Sequence, residues 1–131
     1  MEYAPGGSLS DKIKRQGGRL DELAIRSPPS RRPRRARLPP RRDVVHYDVK
    51  NQNVLVCSCG RANIADFGCA RRADAEGERE CFKGTPMFMA PEGARGEEQG
   101  TPADVWALGC MVIEMATGRP PKLEHLHVDA L

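Results

Sequence analysis

No run of apolar residues in this 131-residue chain reaches the roughly 18 that a membrane-crossing helix needs, so no membrane partner is expected. No Cys-x-x-Cys pair occurs among Cys57, Cys59, Cys69, Cys81 and Cys110, and no His stands at zinc-ligand spacing from them. That sets aside the common structural zinc motifs. An odd count of five cysteines, with no secretory leader, points to free thiols in a reducing compartment. An intracellular chain, cytoplasmic or nuclear, is the expectation. No acid occurs between residues 26 and 42, where eight Arg crowd together. The formal net charge of +3 therefore belongs to one segment, and the remainder is mildly acidic. Residues 69–84 contain no Ser or Thr, which leaves no clear phosphorylation site there.

What is present lies between His46 and Glu92. The chain reads His46-Tyr47-Asp48-Val49-Lys50-Asn51-Gln52-Asn53, then Asp66-Phe67-Gly68, then Gly84-Thr85-Pro86 and Ala90-Pro91-Glu92. A lone Asp or Asn is as often a turn residue as a functional one. The ordered set is far more specific. It resembles the catalytic-loop, metal-loop and activation-segment signatures of the eukaryotic protein kinase family. The fuller wording, HYDVKNQN, IADFGCAR, GTPMFMAPE and DVWALGC, is similar to the plant mitogen-activated protein kinase kinase kinases.

The resemblance implies phosphoryl transfer from ATP to a protein Ser or Thr. That reaction asks for positioning and charge neutralisation more than covalent chemistry. By resemblance, Asp48 is the catalytic base, and Lys50 faces the transferred phosphate. Asn53 and Asp66 would hold Mg2+, a hard cation that takes oxygen ligands. Thr85 would line the substrate site. His46, Asp104 and Glu92 fall on structural positions. Asp104 would bond the catalytic-loop backbone, and Glu92 would pair with an arginine from the end of the domain. The family usually carries Arg before the base, where it pairs with an activation-loop phosphate. Here that residue is Tyr47, which puts a phosphate-driven switch in doubt.

The expected fold is α+β: a mainly helical kinase C-terminal lobe with short β-hairpins, incomplete, over residues 1–121, followed by a tail at 122–131. Met1 to Leu9 resembles the hinge, with Met1 at the gatekeeper and Glu2 and Ala4 on the adenine contacts. A chain opening there contains no small lobe, so the polypeptide as written is expected to be inactive by itself. Ser8 reads as an N-cap with Asp11 three residues on, and Gly17-Gly18 ends that helix. A second helix starts near Leu20, with Asp21 and Glu22 in its first turn. Val54–Val56 and residues 62–65 read as a hairpin around residues 58–61, placing Asn53 and Asp66 on either side of it. Residues 71–83 read as a polar activation loop. Thr101, with Pro102 behind it, reads as the cap of a helix that runs to Thr117, apolar on nearly all sides and therefore buried.

Residues 26–43 break the pattern. Five Pro between Ser27 and Arg42 exclude a helix, each costing about 3 kcal/mol in a helix interior. As written the segment reads as a disordered cationic linker. Codons chosen for Arg35 to Arg41, read one base out of register, spell Gly-Leu-Ala-Tyr-Leu-His-Ala. The kinase motif resumes in register at Asp43, so two compensating frameshifts account for the segment.

Two rival readings stand beside the kinase. One is a non-catalytic kinase remnant that binds partners. The other is an Arg-rich nucleic-acid binder, disfavoured because no aromatics interleave the Arg run. The implied partner is a protein substrate, with a downstream mitogen-activated protein kinase kinase as the specific expectation. Oligomeric state is left open.

Overall fold

In a computed structural model of the chain, residues 6–26, 44–57, 62–72 and 84–121 are described. Met1, Glu2 and Ala4, expected at a hinge, the Arg/Pro stretch, residues 58–61, expected as a turn, residues 73–83 and residues 122–131 lie outside them.

Helix α1 (Leu9–Arg15) begins where its capping chemistry dictates. The Ser8 hydroxyl accepts from Asp11 N at 3.1 Å, and Asp11 Oδ2 accepts from Ser8 N at 3.0 Å. Two otherwise orphaned amides are satisfied reciprocally. Leu9 and Ile13, four residues apart, share one face and are buried. Gly17 and Gly18, both at positive φ, turn the chain back toward Leu20, whose N–H donates to Met115 O at 2.7 Å. Asp21 lies ahead of α2 (Glu22–Arg26) rather than inside it. Its carboxylate accepts from Ala24 N at 2.6 Å and caps the helix from outside.

Among the described residues, four short strands form two antiparallel pairs. β1 (Val44–Val45) pairs with β4 (Arg71–Arg72), and β2 (Val54–Val56) pairs with β3 (Ala62–Ile64) in the register Val54 to Ile64. The first pair corrects the loop expected from residue 71 onward. Arg71 and Arg72 carry no β pattern of their own and are strand residues only because Val44 and Val45 lie beside them.

After the one-turn helix α3 (Pro91–Ala94), helix α4 (Thr101–Thr117) supplies the floor. It starts one residue earlier than the Thr cap predicts, with Gly100 as the cap and no side-chain bond to it. Gly118, at φ 77, ends it. A Cβ there would run into the Gly18 carbonyl, so glycine suits both the left-handed turn and the close approach. Ala103, Ala107, Cys110, Met111 and Met115 form the inward face, and the last four join Leu9, Ile13, Leu20, Val49, Val54 and Phe88 in one core. Burial pushes the Cys110 thiol up from its ordinary range, so this cysteine behaves as a small apolar side chain.

The helix is not buried all round. Val105, Leu108, Val112 and Ile113 are 68%, 48%, 41% and 42% exposed. Among the described residues nothing covers them, so an apolar sequence has produced a two-faced helix. An open stripe of this kind promotes association. Replacing Val105 and Val112 by Glu should raise the soluble yield of the 131-residue chain while leaving its circular dichroism spectrum unchanged. An unchanged yield would show that association starts elsewhere.

Candidate active site

The loop from His46 to Asn53 joins β1 to β2 and lies along α4, bonded to it from Asp104 to Glu114. Asp104, in the first turn of that helix, holds it. Its Oδ2 accepts from His46 N at 2.7 Å, and its Oδ1 accepts from Tyr47 N at 3.0 Å. One carboxylate thus takes two successive backbone hydrogens. Tyr47 sits at φ 64, in the left-handed region. A non-glycine residue there costs on the order of 1 kcal/mol, which the paired charge-assisted bonds offset. The Tyr47 hydroxyl donates to Gln99 O at 3.1 Å, tying the loop to the stretch before α4. Gly84, at φ 106, passes so close to the Tyr47 carbonyl that a Cβ would collide with it.

His46 joins this loop to the next one. Asp48 N donates to His46 Nδ1 at 3.3 Å, and His46 Nε2 lies 3.2 Å from Ala65 O. An amide can only donate and a carbonyl can only accept, so the tautomer that satisfies both carries its proton on Nε2. The ring meets Phe67 edge-on, with centroids 4.8 Å apart.

Asp48, Lys50, Asn53 and Thr85 come together at the open side of the loop. Asp48 Oδ1 accepts from the Thr85 hydroxyl at 2.8 Å. Its Oδ2 accepts from Lys50 Nζ at 2.7 Å and from Asn53 Nδ2 at 3.0 Å. Lys50 Nζ also donates to Thr85 Oγ1 at 3.0 Å, and Asn53 Nδ2 to the Asp48 carbonyl at 2.9 Å. Burial alone would raise the Asp48 carboxyl. The hydrogen bonds from Lys50 and Thr85, the Lys50 charge and the Asn53 amide outweigh it and hold the group below its ordinary 3.8. It is therefore a carboxylate at neutral pH, aimed and ready to accept.

The oxygen donors named for a metal stand side by side at the open end of the antiparallel β2–β3 pair, Asn53 just before β2 and Asp66 two residues after β3. Ala65 N donates to Asn53 O at 2.7 Å, which brings the Asp66 loop alongside Asn53. Asn53 spends both of its recorded side-chain bonds through Nδ2, leaving the amide oxygen turned away from Asp48. Asp66, exposed and at φ 60, accepts from Gly68 N at 3.3 Å through Oδ1. One amide oxygen and one carboxylate suit Mg2+, which keeps several waters and takes few protein ligands. The set fits that ion. No cluster of three His, Cys, Asp or Glu exists among the described residues, so a site for a softer metal has no support there.

The protein kinase domain family matches residues 1–129. The chain belongs to the protein kinase family. Mitogen-activated protein kinase kinase kinase 17 of Arabidopsis thaliana is 48% identical over 92% of this kinase chain and 32% of its own length. Mitogen-activated protein kinase kinase kinase 18 of the same plant is 46% identical, over 92% of the chain and 36% of its own length. Serine/threonine-protein kinase CLA4 of Candida albicans is 37% identical over the whole chain and 14% of its own length. The chain spans about a third or less of these curated relatives.

Seven of the site residues named from the kinase motifs, His46, Asp48, Lys50, Asn53, Asp66, Thr85 and Asp104, fall within the region described above. Glu92 stands apart. Its carbonyl accepts from Glu97 N at 2.8 Å, and its carboxylate has no recorded contact among the described residues. Glu2 and Ala4 lie outside those residues. Two links were missed from sequence: Tyr47 to Gln99, and Asn51 to Glu114 in the last turn of α4. The only sequence signal for the second was the alternation of Asp48, Val49, Lys50 and Asn51, which in extended backbone sends every second side chain inward.

The Asp48 carboxyl, followed by carbon-13 shift, should titrate below 3.8, and Lys50→Met should move it upward. Because the folded value is depressed, the stability that Asp48 contributes is present above its unfolded value. It is lost as pH falls through the lowered one. A midpoint in Lys50→Met at or below that of the parent would contradict the ranking of causes.

Proposed function

We propose that these residues form the large-lobe part of a serine/threonine protein kinase domain, over residues 1–121. We further propose that the whole protein transfers the terminal phosphate of ATP to a protein Ser or Thr. The observation that carries this reading is the four-residue cluster of Asp48, Lys50, Asn53 and Thr85. It presents one ionised carboxylate, one ammonium and one hydroxyl at a single open face.

In this reading Asp48 receives the proton of the substrate hydroxyl. The transition state is loose and the proton departs late, so orientation matters more than basicity, and a carboxylate of low pKa serves. Lys50 supplies positive charge to the phosphoryl group in transit, while Thr85 keeps its ammonium and the Asp48 carboxylate at a fixed spacing. Asn53 and Asp66 would hold Mg2+, which when bound neutralises phosphate charge. The adenine contacts fall to Glu2 and Ala4. A mitogen-activated protein kinase kinase is the protein substrate suggested by the names of the Arabidopsis relatives.

Tyr47 bears on regulation. Its hydroxyl is engaged with Gln99 O and offers no positive charge to a phosphate. The loop is held by Asp104 and Gln99 without one.

The whole protein should transfer labelled phosphate to a basic acceptor protein, with Asp48→Asn lowering the rate by about a thousand-fold or more. The 131 residues contain no Gly-x-Gly-x-x-Gly phosphate loop, so expressed alone they should not exceed an Asp48→Ala control. Parent-level activity in Asp48→Asn would end the phosphoryl-transfer reading. Phosphatase treatment of the whole protein should leave most of its activity intact, and abolition would show that a phosphate does control the loop.

A further inference from the structure

The candidate catalytic loop has an inner side as well as an outer one. Lys50 is fully extended, at φ −158 and ψ 163, so its neighbours alternate in direction. Asp48 and Lys50 face the open side. Val49 and Asn51 face α4, and both are buried, Asn51 with none of its surface exposed. Val49 joins the apolar core. Asn51 makes a different kind of contact. Its Nδ2 donates to Glu114 Oε2 at 2.5 Å and lies 3.5 Å from Met111 O. Its Oδ1 has no protein partner among the described residues.

The orientation of that amide follows from its surroundings. A carboxylate and a carbonyl only accept, so the NH2 end must face them and the oxygen is left over. An unpartnered acceptor in a dry interior is a liability that an apolar side chain would avoid. As a contribution to stability, Asn51 is therefore a poor choice. As a fixing point it is a good one. Apolar contacts such as that of Val49 are non-directional and tolerate sliding. A short hydrogen bond to a carboxylate is directional and roughly twice as strong as a neutral one. Asn51 also opens the 3-10 turn that ends at Asn53, whose own N–H donates to Lys50 O at 2.9 Å. A shift of Asn51 along α4 would thus be passed directly to Lys50 and Asn53, one residue before it and two after.

We infer that Asn51 and Glu114 act as a positioning pair that sets where Asp48, Lys50 and Asn53 stand relative to α4. The pair touches no reacting atom. This inference rests on the phosphoryl-transfer reading for its effect on rate, but not for its effect on the loop.

The test uses Asn51→Ala, Glu114→Ala, the double variant and Glu114→Gln in the whole protein, with Asp48→Asn as control. Misplacing reacting groups by about an ångström costs up to about a hundred-fold. Corrected for folded fraction by thermal melting, kcat should fall about ten-fold or more in each alanine variant, with KM for ATP changed less than about two-fold. The double variant should be no worse than the poorer single one, because the two residues act as a unit. Glu114→Gln, which keeps an acceptor, should restore most of the loss. Hydrogen exchange supplies a readout without activity: the Asn53 amide should exchange faster in Asn51→Ala and at about the parental rate in Glu114→Gln. Unchanged corrected kcat, multiplicative single effects, or an Asn53 amide indifferent to Asn51→Ala would each overturn the pairing. If Asp48→Asn kept parental activity, the phosphoryl-transfer reading would fall, and the exchange measurement would still decide whether Asn51 holds the loop.

Discussion

Both oxygens of the Asp104 carboxylate accept backbone hydrogens from the residues that precede Asp48. Everything in the candidate site is placed relative to that contact. It joins the loop to the first turn of a 17-residue helix, and it does so through backbone, so this contact needs no flexible side chain from the loop. It also holds Tyr47 in a left-handed conformation that bends the chain just before Asp48. Charge-assisted bonds to main-chain N–H groups are strong enough to stabilise such a bend. A protein can keep local strain of this size where the surroundings over-determine it.

Beyond that anchor, the loop divides its side chains by direction. The outward residues are polar and bonded to one another: Asp48, Lys50 and Asn53, with Thr85 arriving from a distant stretch of chain. The inward residues are Val49 and Asn51. This separation lets one short segment carry charge on one side and be packed on the other. It also explains the direction of the Asp48 pKa. Desolvation on the packed side opposes ionisation, and the donors on the open side reverse the outcome.

The membership of the chain in the protein kinase family, and its high identity to the two Arabidopsis proteins over most of its length, agree with this geometry. The exposed stripe on α4 marks where that geometry is unfinished among the described residues. Apolar side chains that point away from the core keep their sequence pattern whether or not a neighbour covers them. Such residues read as buried in a sequence, and only the neighbours that the fold brings against them decide whether they are.

Local chemistry was legible from the sequence. The Ser8 and Asp11 cap, the glycine stop at Gly118, the β2–β3 pair and the ordered kinase motifs all depend on residues close together in the chain. Short-range hydrogen bonding and backbone preference fix them without reference to the rest of the molecule. The motif order also named seven residues that stand in or beside the site. Tertiary structure decided the remainder. Arg71 and Arg72 form a strand because Val44 and Val45 offer an edge. Thr85 reaches Asp48 across 37 positions, Tyr47 reaches Gln99 across 52, and Asn51 reaches Glu114 across 63. No spacing in the sequence names these pairings, although the alternation from Asp48 to Asn51 marks Asn51 as an inward residue. Each exists because packing α4 beneath the loop brings the two groups within bonding distance, and a polar group carried into that interior must find whatever partner the fold places beside it.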